Sequence, residues 1–309
     1  MERSTIVLIC LIAIVFFIVI WVMSYDNNSD YGEDIGTTEH TEDEPINVEE
    51  EGKVDNTDLN TIVLQPQESD SVELSVVSET LDGLEIPRSL NDNPEILISH
   101  TAFSLSYNTI HNNPNWVAWY LNRERVSGRY ERTNDYDVDP KLPAQYRITA
   151  DEYTGLGYDR GHMCPAADVK WDLNAMHESF YMTNICPQDN YLNSGGWNKV
   201  EESCRRWAKQ EGQIYIVCGP VYSGNIKKIG HYRKVSVPTG FFKVVLSLNP
   251  GNEKAIGFYY DNNNSKQNMG NATRSVDDIE RITGYDFFYQ LDDSLEERLE
   301  STFNLGKWH

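Results

Sequence analysis

The pattern of apolar and polar positions divides the chain into three segments. Residues 6–23 form an unbroken apolar run of 18 residues. Residues 24–90 are rich in Asp, Glu, Asn, Ser and Thr, and such a segment cannot bury enough apolar surface to offset the entropy of ordering it. The pattern typical of a folded domain begins at about residue 98. We therefore expect an apolar helix, an extended acidic linker and one domain over residues 91–309.

Several segments of the domain are predicted to be β-strands, because apolar residues alternate with polar ones or run continuously over short stretches. Gly219 and Pro220 are expected to end the strand that begins at Gln213. The predicted strands are Asn115–Arg123, Tyr158–His162, Gln213–Cys218, Lys234–Val237, Phe241–Leu248 and Lys254–Tyr260.

Two later segments are predicted to be helices. Apolar residues recur at helical spacing between Trp197 and Gln210. A second helix is expected over Ser275–Ile282, with Ser275 as its N-cap and acidic residues in its first turn. Strands with interspersed helices predict an α+β domain around an antiparallel sheet. Four tryptophans are expected in its core, namely Trp116, Trp119, Trp197 and Trp207.

The apolar run at residues 6–23 predicts attachment to a membrane. It reaches the lower length limit of a transmembrane helix and exceeds the core of an ordinary signal peptide, and bulky residues follow where a cleavage site needs small ones. Arg3 precedes the run and no Lys or Arg follows it before Lys53, so residues 1–5 are expected in the cytoplasm. We favour a membrane-anchored, extracytoplasmic domain over a domain that is secreted after cleavage.

The net charge of −22 argues at first against a polyanionic substrate. The charge is uneven, however, because residues 24–100 carry 21 acidic side chains against two basic ones. Residues 1–23 are neutral, so residues 101–309 carry a net charge of only −3. The folded domain can therefore carry a local basic groove.

The domain contains four cysteines whose pairing the sequence leaves open. An exported domain permits disulfides, and four cysteines allow three pairings. A structural zinc site is disfavoured because no Cys-x-x-Cys pair is present. The four are Cys164, Cys186, Cys204 and Cys218.

The segment Asp159-Arg160-Gly161-His162 carries the clearest chemical signal. In an extended strand, residues two positions apart face the same side, so Arg160 and His162 would share one surface. A guanidinium that holds an anion beside an imidazole that accepts a proton suits the hydrolysis of a phosphate ester. Two polar segments follow it, Asn184–Gln188 and Asn193–Glu201.

These three segments resemble the DNA/RNA non-specific endonuclease family, the ββα-metal nucleases of the endonuclease G type. Asn115–Leu121 resembles the family's entry segment and Ile279–Phe288 its closing segment. The similarity spans roughly residues 98–305. It implies a ββα-metal (His-Me finger) fold, with a central antiparallel sheet flanked by helices.

The resemblance implies that His162 is the general base that activates water. It also implies that Asn193 is the metal ligand, and an amide oxygen is a hard, neutral donor that suits Mg²⁺. One ion that is coordinated mostly by water is expected, with Mn²⁺ able to substitute.

Two further polar residues match positions of the family's site. Glu201 corresponds to an acidic residue that reaches the waters around the metal, with Glu202 as its neighbouring alternative. Asn184 corresponds to a residue that helps to position the phosphate and His162. Both Glu201 and Asn184 are therefore expected to belong to the catalytic set.

Arginines are expected to bind the scissile phosphate. Arg160 is assigned to phosphate binding and to charge stabilisation. The family has a further arginine upstream, for which Arg132 is the preferred match and Arg129 the alternative. Asp159 is expected to order the loop and is left outside the catalytic set.

The resulting hypothesis is an exported, membrane-tethered, Mg²⁺-dependent endonuclease that cleaves DNA, RNA or both to 5′-phosphate ends. Its expected partners are the nucleic-acid backbone, with little sequence preference, and the membrane through the N-terminal helix. The alternatives are a catalytically silent nucleic-acid-binding protein on the same fold and a metal phosphodiesterase of other substrates.

Overall fold

The computed structural model describes residues 83–308 of the chain. The predicted cytoplasmic residues 1–5, the predicted anchor at residues 6–23 and nearly all of the predicted linker at residues 24–90 lie outside the described residues. Within the described part, each helix is too short or too polar to cross a membrane. Leu84 is buried and Arg88–Ser89 pairs with a strand near the C-terminal end, so packed residues already precede position 91.

A seven-stranded antiparallel sheet forms the centre of the domain. The strands of residues 83–308 are β1 (Arg88–Ser89), β2 (Ile96–Ser99), β3 (Ser104–Asn108), β4 (Asn113–Asn122), β5 (Asp159–His162), β6 (Ile185–Gln188), β7 (Gln213–Val221), β8 (Lys228–Ile229), β9 (Val235–Ser236), β10 (Gly240–Ser247), β11 (Lys254–Asp261), β12 (Thr273–Arg274) and β13 (Tyr285–Asp286). The order across the sheet is β12-β11-β10-β7-β4-β3-β2. β1 pairs with β13, β5 with β6 and β8 with β9.

Helices cover both faces of this sheet. They are α1 (Leu173–Ser179), α2 (Asn198–Glu211), α3 (Met269–Ala272), α4 (Val276–Thr283) and α5 (Asp293–Glu300) in the described residues. α2 contributes Trp207 to the core on one face, together with Trp119 and Phe241 of the sheet. α4 and α5 contribute Ile279 and Leu299 to the core on the other face. Both faces of the sheet are covered, so the central strands carry mostly apolar side chains on each side. The α+β fold with a central antiparallel sheet and flanking helices is therefore confirmed.

The predicted helices and their ends agree closely with the structure. α2 spans Asn198–Glu211, and a π-helical turn, Leu192–Trp197, precedes it directly. The Ser275 side chain caps α4 by accepting a hydrogen bond from the Asp278 backbone, and the Asp278 side chain completes a capping box. Gly284 ends α4 with a φ of 71°, a left-handed conformation that favours glycine.

One predicted strand end is wrong. β7 does not stop at Cys218 but continues through Gly219 and Pro220 to Val221, pairing with β10 throughout. The pairing of β7 with its other neighbour, β4, ends at Cys218. A proline is tolerated beyond that point because one side of the strand no longer needs its missing N–H donor.

The segment between β4 and β7 carries the polar motifs found in the sequence. It contains β5 and β6, an antiparallel pair that we call the β5–β6 hairpin although α1 lies in the connection between its strands. The π-helical turn and α2 follow β6. Met163 and Cys186 of the hairpin region and Trp197 of the turn pack into the core on the α2 face. The motifs are therefore assembled on the α2 side of the sheet.

All four predicted core tryptophans are buried, each with at most 2% of its surface exposed. The four domain cysteines are also buried, and each is a free thiol. Burial raises the pKa of every one of these thiols above its ordinary value. The cysteines thus act as small apolar core residues, which settles the pairing that the sequence left open.

Candidate active site

A cleft of about 600 Å³ opens where the β5–β6 hairpin meets the N-terminal half of α2. Five of the six residues predicted for the site line it, and only Asn184 does not. The lining residues are Arg132, Tyr136, Tyr153, Thr154, Gly155, Tyr158, Asp159, Arg160, His162, Pro165, Ala166, Ala167, Asn193, Ser194, Asn198, Glu201 and Arg205. We call this space the cleft.

The buried side chain of Gln188 in β6 packs directly over Gly161 in β5. Gly161 lies opposite Cys186, and a Cβ atom on Gly161 would come within 2.3 Å of the Gln188 side-chain oxygen. Gln188 is completely buried and cannot easily move away. A side chain at position 161 would therefore push the two strands apart and displace its neighbours Arg160 and His162.

His162 presents an unpaired nitrogen to the cleft. Its ring packs edge-on against Phe180, with ring centres 4.9 Å apart, and lies 5.7 Å from Tyr136. Nε2 has no hydrogen-bond partner among the described residues. Burial first, and then the charge of Arg132, lower the pKa of His162 to about 3, although a hydrogen bond with the Arg160 backbone acts in the opposite direction. The imidazole is thus neutral at physiological pH and free to accept a proton at Nε2.

Two arginines bring positive charge to the cleft. Arg160 donates hydrogen bonds to the Ala150 carbonyl and to the Thr154 hydroxyl, at 2.9 Å and 3.1 Å. Arg132 donates to the Asn134 side chain at 3.2 Å. Neither guanidinium forms an ion pair within residues 83–308. Both charges therefore remain available for an anionic ligand.

The structure also separates the two upstream candidates for phosphate binding. Arg132 lines the cleft, with its guanidinium 5.3 Å from the centre of the Phe180 ring, whereas Arg129 is not part of the lining. This position favours Arg132, the preferred match from the sequence, over Arg129.

Asn193 lies in the π-helical turn and is oriented by Asp159. Its Nδ2 donates a hydrogen bond of 2.9 Å to Asp159 Oδ2, which also accepts from Asn190 at 3.0 Å. A carboxylate only accepts hydrogen bonds, so the Asn193 amide must turn its nitrogen towards Asp159 and its oxygen away from it. The freed Oδ1 is a hard donor that fits a divalent cation.

Asp159 was expected to order the loop and was left outside the catalytic set. It lies at the start of β5, where its carboxylate orders the π-helical turn through Asn193 and also lines the cleft. The sequence placed Asp159 at the start of the motif, but did not indicate its partner Asn193, which is 34 positions away.

We expect Asp159→Ala to lower cleavage about 10- to 100-fold, because the loss of a residue that orients a metal ligand typically has this effect. Asp159→Asn is the matched control, since its amide oxygen can still accept the hydrogen bond from Asn193. Steady-state rates at varied Mg²⁺ concentrations measure both variants, and Asp159→Ala should need more Mg²⁺. Equal losses in the two variants with an unchanged Mg²⁺ requirement would contradict this role.

Glu201 faces the cleft from the first turn of α2. Burial first, and then the charge of Asp168, raise the pKa of Glu201 to about 7, although Lys243 and two arginines lower it. Its neighbour Glu202 is exposed and accepts a hydrogen bond from Asn198, outside the cleft. Glu201 rather than Glu202 is therefore the acidic residue of this site.

Asn184, predicted to help position the phosphate and His162, does not line the cleft. It is completely buried, and its Oδ1 accepts a hydrogen bond from the Cys164 backbone at 2.9 Å. Its Nδ2 donates to the carbonyls of Cys164 and Ser179. Asn184 thus fixes the path of the chain that follows His162, and any effect on a phosphate would be indirect.

A buried lysine lies beneath the cleft and was not singled out from the sequence. Lys243 of β10 is 1% exposed, and its Nζ lies 4.9 Å and 4.5 Å from the ring centres of Trp119 and Trp197. Its charge lowers the pKa of both Glu201 and Asp168. Asp168 also pairs with Arg205 at 2.9 Å. Lys243 therefore supplies positive charge beneath the acidic side of the cleft.

Comparison with known proteins gives consistent matches over the described domain. A family model described as DNA/RNA non-specific endonuclease matches residues 84–294. A protein of Nostoc sp. named "Nuclease" is 35% identical over 216 residues, which cover 66% of this chain and 77% of that protein. The human protein named "Nuclease EXOG, mitochondrial" is 32% identical, over 62% of this chain and 57% of its own length.

A solved structure agrees with these sequence matches. The chain is similar to a structure titled as the EndoG/EndoGI complex, with a TM-score of 0.59 and 27% sequence identity. The match covers 64% of this chain and 89% of that chain. The central sheet with its flanking helices is thus a fold that occurs in a known nuclease structure.

Proposed function

Since the chain belongs to the DNA/RNA non-specific endonuclease family, we propose that its cleft hydrolyses phosphodiester bonds in DNA and RNA with little sequence preference. The family and the relatives named as nucleases support an endonuclease. The observation that carries the proposal is the unpaired Nε2 of His162 in the same cleft as two arginines without ion pairs and the oriented amide of Asn193.

Hydrolysis needs a nucleophile in line with the leaving oxygen, and relief of the charge on the phosphoryl oxygens. The neutral His162 accepts a proton from the attacking water at Nε2. Arg160 and Arg132 hold the phosphate and stabilise its developing charge. The products in this scheme are 5′-phosphate and 3′-hydroxyl ends.

The proposed cofactor is one Mg²⁺ ion that keeps most of its waters, and Mn²⁺ can substitute for it. Asn193 would hold the ion through Oδ1, because Asp159 fixes the orientation of the amide. Glu201 lines the same cleft and adds negative charge beside that position. When bound, the ion would offset charge on the phosphate and on the leaving oxygen. The β5–β6 hairpin followed by α2 thus acts as the ββα-metal finger of this proposal.

We further propose that the enzyme is tethered to a membrane, with its domain outside the cytoplasm. Residues 1–5 would be cytoplasmic, residues 6–23 the anchor, residues 24–90 the acidic linker and residues 91–309 the nuclease domain. The length of the apolar run and the charges that flank it support this arrangement. The domain would then be periplasmic or extracellular. Protease treatment of cells whose outer barrier is permeabilised and whose cytoplasmic membrane is intact tests this arrangement, because the domain would be released while the anchor stays protected.

The test of the function is an assay of the purified full-length chain, kept in mild detergent, on plasmid DNA and on RNA. We expect cleavage with Mg²⁺, loss of cleavage with excess chelator and recovery when Mg²⁺ is added back. Salt should weaken binding, because the enzyme grips the phosphate backbone.

Two results would overturn the proposed function. If the chain binds DNA without a metal and leaves it uncut, it is a catalytically silent nucleic-acid-binding protein. Hydrolysis of a small phosphodiester such as bis(4-nitrophenyl) phosphate, with DNA and RNA left intact, would indicate a phosphodiesterase of other substrates.

A further inference from the structure

A group of three carboxylates joins two helices on the face of the sheet opposite the cleft. Asp277 and Glu280 lie three residues apart in α4, and Glu300 is the last residue of α5. One oxygen atom from each residue lies within 4.8 Å of the other two. We call these residues the acidic triad. None of them lines the cleft described above.

Glu300 is the member of the triad that most requires a partner. Only 5% of its surface is exposed, and its buried Oε1 accepts no hydrogen bond within the described part of the chain. Burying an unpaired carboxylate oxygen is costly, and buried polar atoms in proteins normally have a partner. Glu300 is the only member of the triad that lies in α5. A partner for its unpaired oxygen is therefore expected between α4 and α5.

The nearby positive charges are engaged elsewhere. Arg88 pairs with Asp286, and Arg281 pairs with Asp278 on the exposed side of α4. Both arginines line the same surface pocket as the triad, but neither pairs with it. No member of the triad forms an ion pair within residues 83–308. The C-terminal end of α5 adds partial negative charge at the same point, which favours a cation there.

We propose that Asp277, Glu280 and Glu300 bind a calcium ion that clamps α4 to α5. One oxygen of each carboxylate lies within 4.8 Å of the other two, so a single ion can contact all three. Ca²⁺ takes about 6–8 oxygen ligands, often from several carboxylates, whereas Mg²⁺ is usually held by one or two carboxylates and keeps several waters. Three converging carboxylates therefore suit Ca²⁺, and water or second carboxylate oxygens complete its shell.

One contact already orients part of this site. Glu280 Oε1 accepts a hydrogen bond of 2.9 Å from the Phe287 backbone, which leaves its other oxygen for the ion. Phe287 and Ile279 belong to the core on this face, so α4 is held firmly against the sheet. Calcium would then fix α5, the last α-helix of the described residues, onto that rigid support.

Calorimetric titration with Ca²⁺ tests the proposal on the full-length chain carrying Asn193→Ala, which removes the metal donor of the cleft. We expect one Ca²⁺ ion to bind this chain. Adding Glu300→Gln should abolish the binding, and adding Asp277→Asn should weaken it by about tenfold or more, because affinity follows the number of charged ligands. Glu202→Gln, which changes an exposed glutamate of α2 outside the pocket that holds the triad, is the matched control and should leave binding unchanged.

Thermal unfolding gives a second measurement. Ca²⁺ should raise the Tm of the Asn193→Ala chain and of the Glu202→Gln control, but not that of the Glu300→Gln variant. The proposal is overturned if Ca²⁺ at millimolar concentration does not bind, or if Glu300→Gln and Asp277→Asn bind it as tightly as the parent chain.

Discussion

Replacing His162 by alanine is expected to lower DNA cleavage by about 10²–10⁴-fold, the contribution that a positioned general base typically makes. The ring packs against Phe180 and Tyr136, lines the cleft, and keeps Nε2 without a hydrogen-bond partner among the described residues. No other imidazole lines the cleft within residues 83–308. The initial rate of plasmid cleavage at saturating Mg²⁺ measures the loss.

Two controls separate the loss of a base from the loss of the fold. His177→Ala changes an exposed histidine in α1 and should leave the rate unchanged. Added imidazole should partly restore cleavage by His162→Ala, because a free base can occupy the vacated position, whereas a misfolded domain would not respond. Full activity of His162→Ala would show that another group activates the water.

The parts of the fold that could be predicted from the sequence are those specified locally. α4 begins at Ser275 because the capping residues lie three positions apart in the chain. β10 and β11 were found because long apolar runs are typical of strands that are buried on both faces. Neither element needs information about distant neighbours.

The errors come from features that only pairing in three dimensions decides. The strand from Gln213 continues through Pro220 because its partner on one side has already ended, and the sequence of β7 does not contain that fact. The sequence likewise does not show that Asn184 lies outside the cleft and acts on the chain after His162, through hydrogen bonds with Cys164 and the Ser179 carbonyl. In both cases a contact with a distant segment outweighs the local pattern.

The candidate site was also predicted from local patterns in part, and depends in part on contacts between distant segments. The motif places Arg160 and His162 on one surface because strands alternate, and the cleft contains both. The orientation of Asn193 by Asp159 links two segments whose distance the sequence does not fix. Lys243 was read only as part of an apolar strand. Its position between Phe241 and Val245, both on the α2 face, was the signal that it points into the core.

Replacing Lys243 by methionine is expected to destabilise the domain by about 3 kcal/mol above neutral pH, because it removes a buried charge that compensates buried carboxylates. Methionine fills a similar volume between Trp119 and Trp197, so the packing itself should change little. The carboxylates affected are Glu201 and Asp168, whose pKa values Lys243 lowers. Lys199→Met, an exposed residue of α2, is the matched control.

The pH dependence of this effect has a definite sign. In the parent chain the pKa of Glu201 is about 7, above its ordinary value of 4.5, so the folded state binds more protons than the unfolded state between these pH values. Stability contributed by Glu201 therefore falls as the pH rises through this window. Without Lys243 the pKa rises further, so the loss should be largest at pH 8 and smaller at pH 5, where Glu201 is already protonated in the folded state.

Urea unfolding at pH 5 and pH 8, with chelator present, measures the free energy of unfolding for Lys243→Met, for Glu201→Gln and for the double variant. The double variant should recover much of the stability lost at pH 8, because neither charge then remains buried without its counterpart. If Lys243→Met were as stable as the parent chain at pH 8, the buried ammonium would not be what holds Glu201 in its charged form. The acidic side of the cleft would then depend on Arg205 and Arg132, the two other cations that lower the pKa of Glu201.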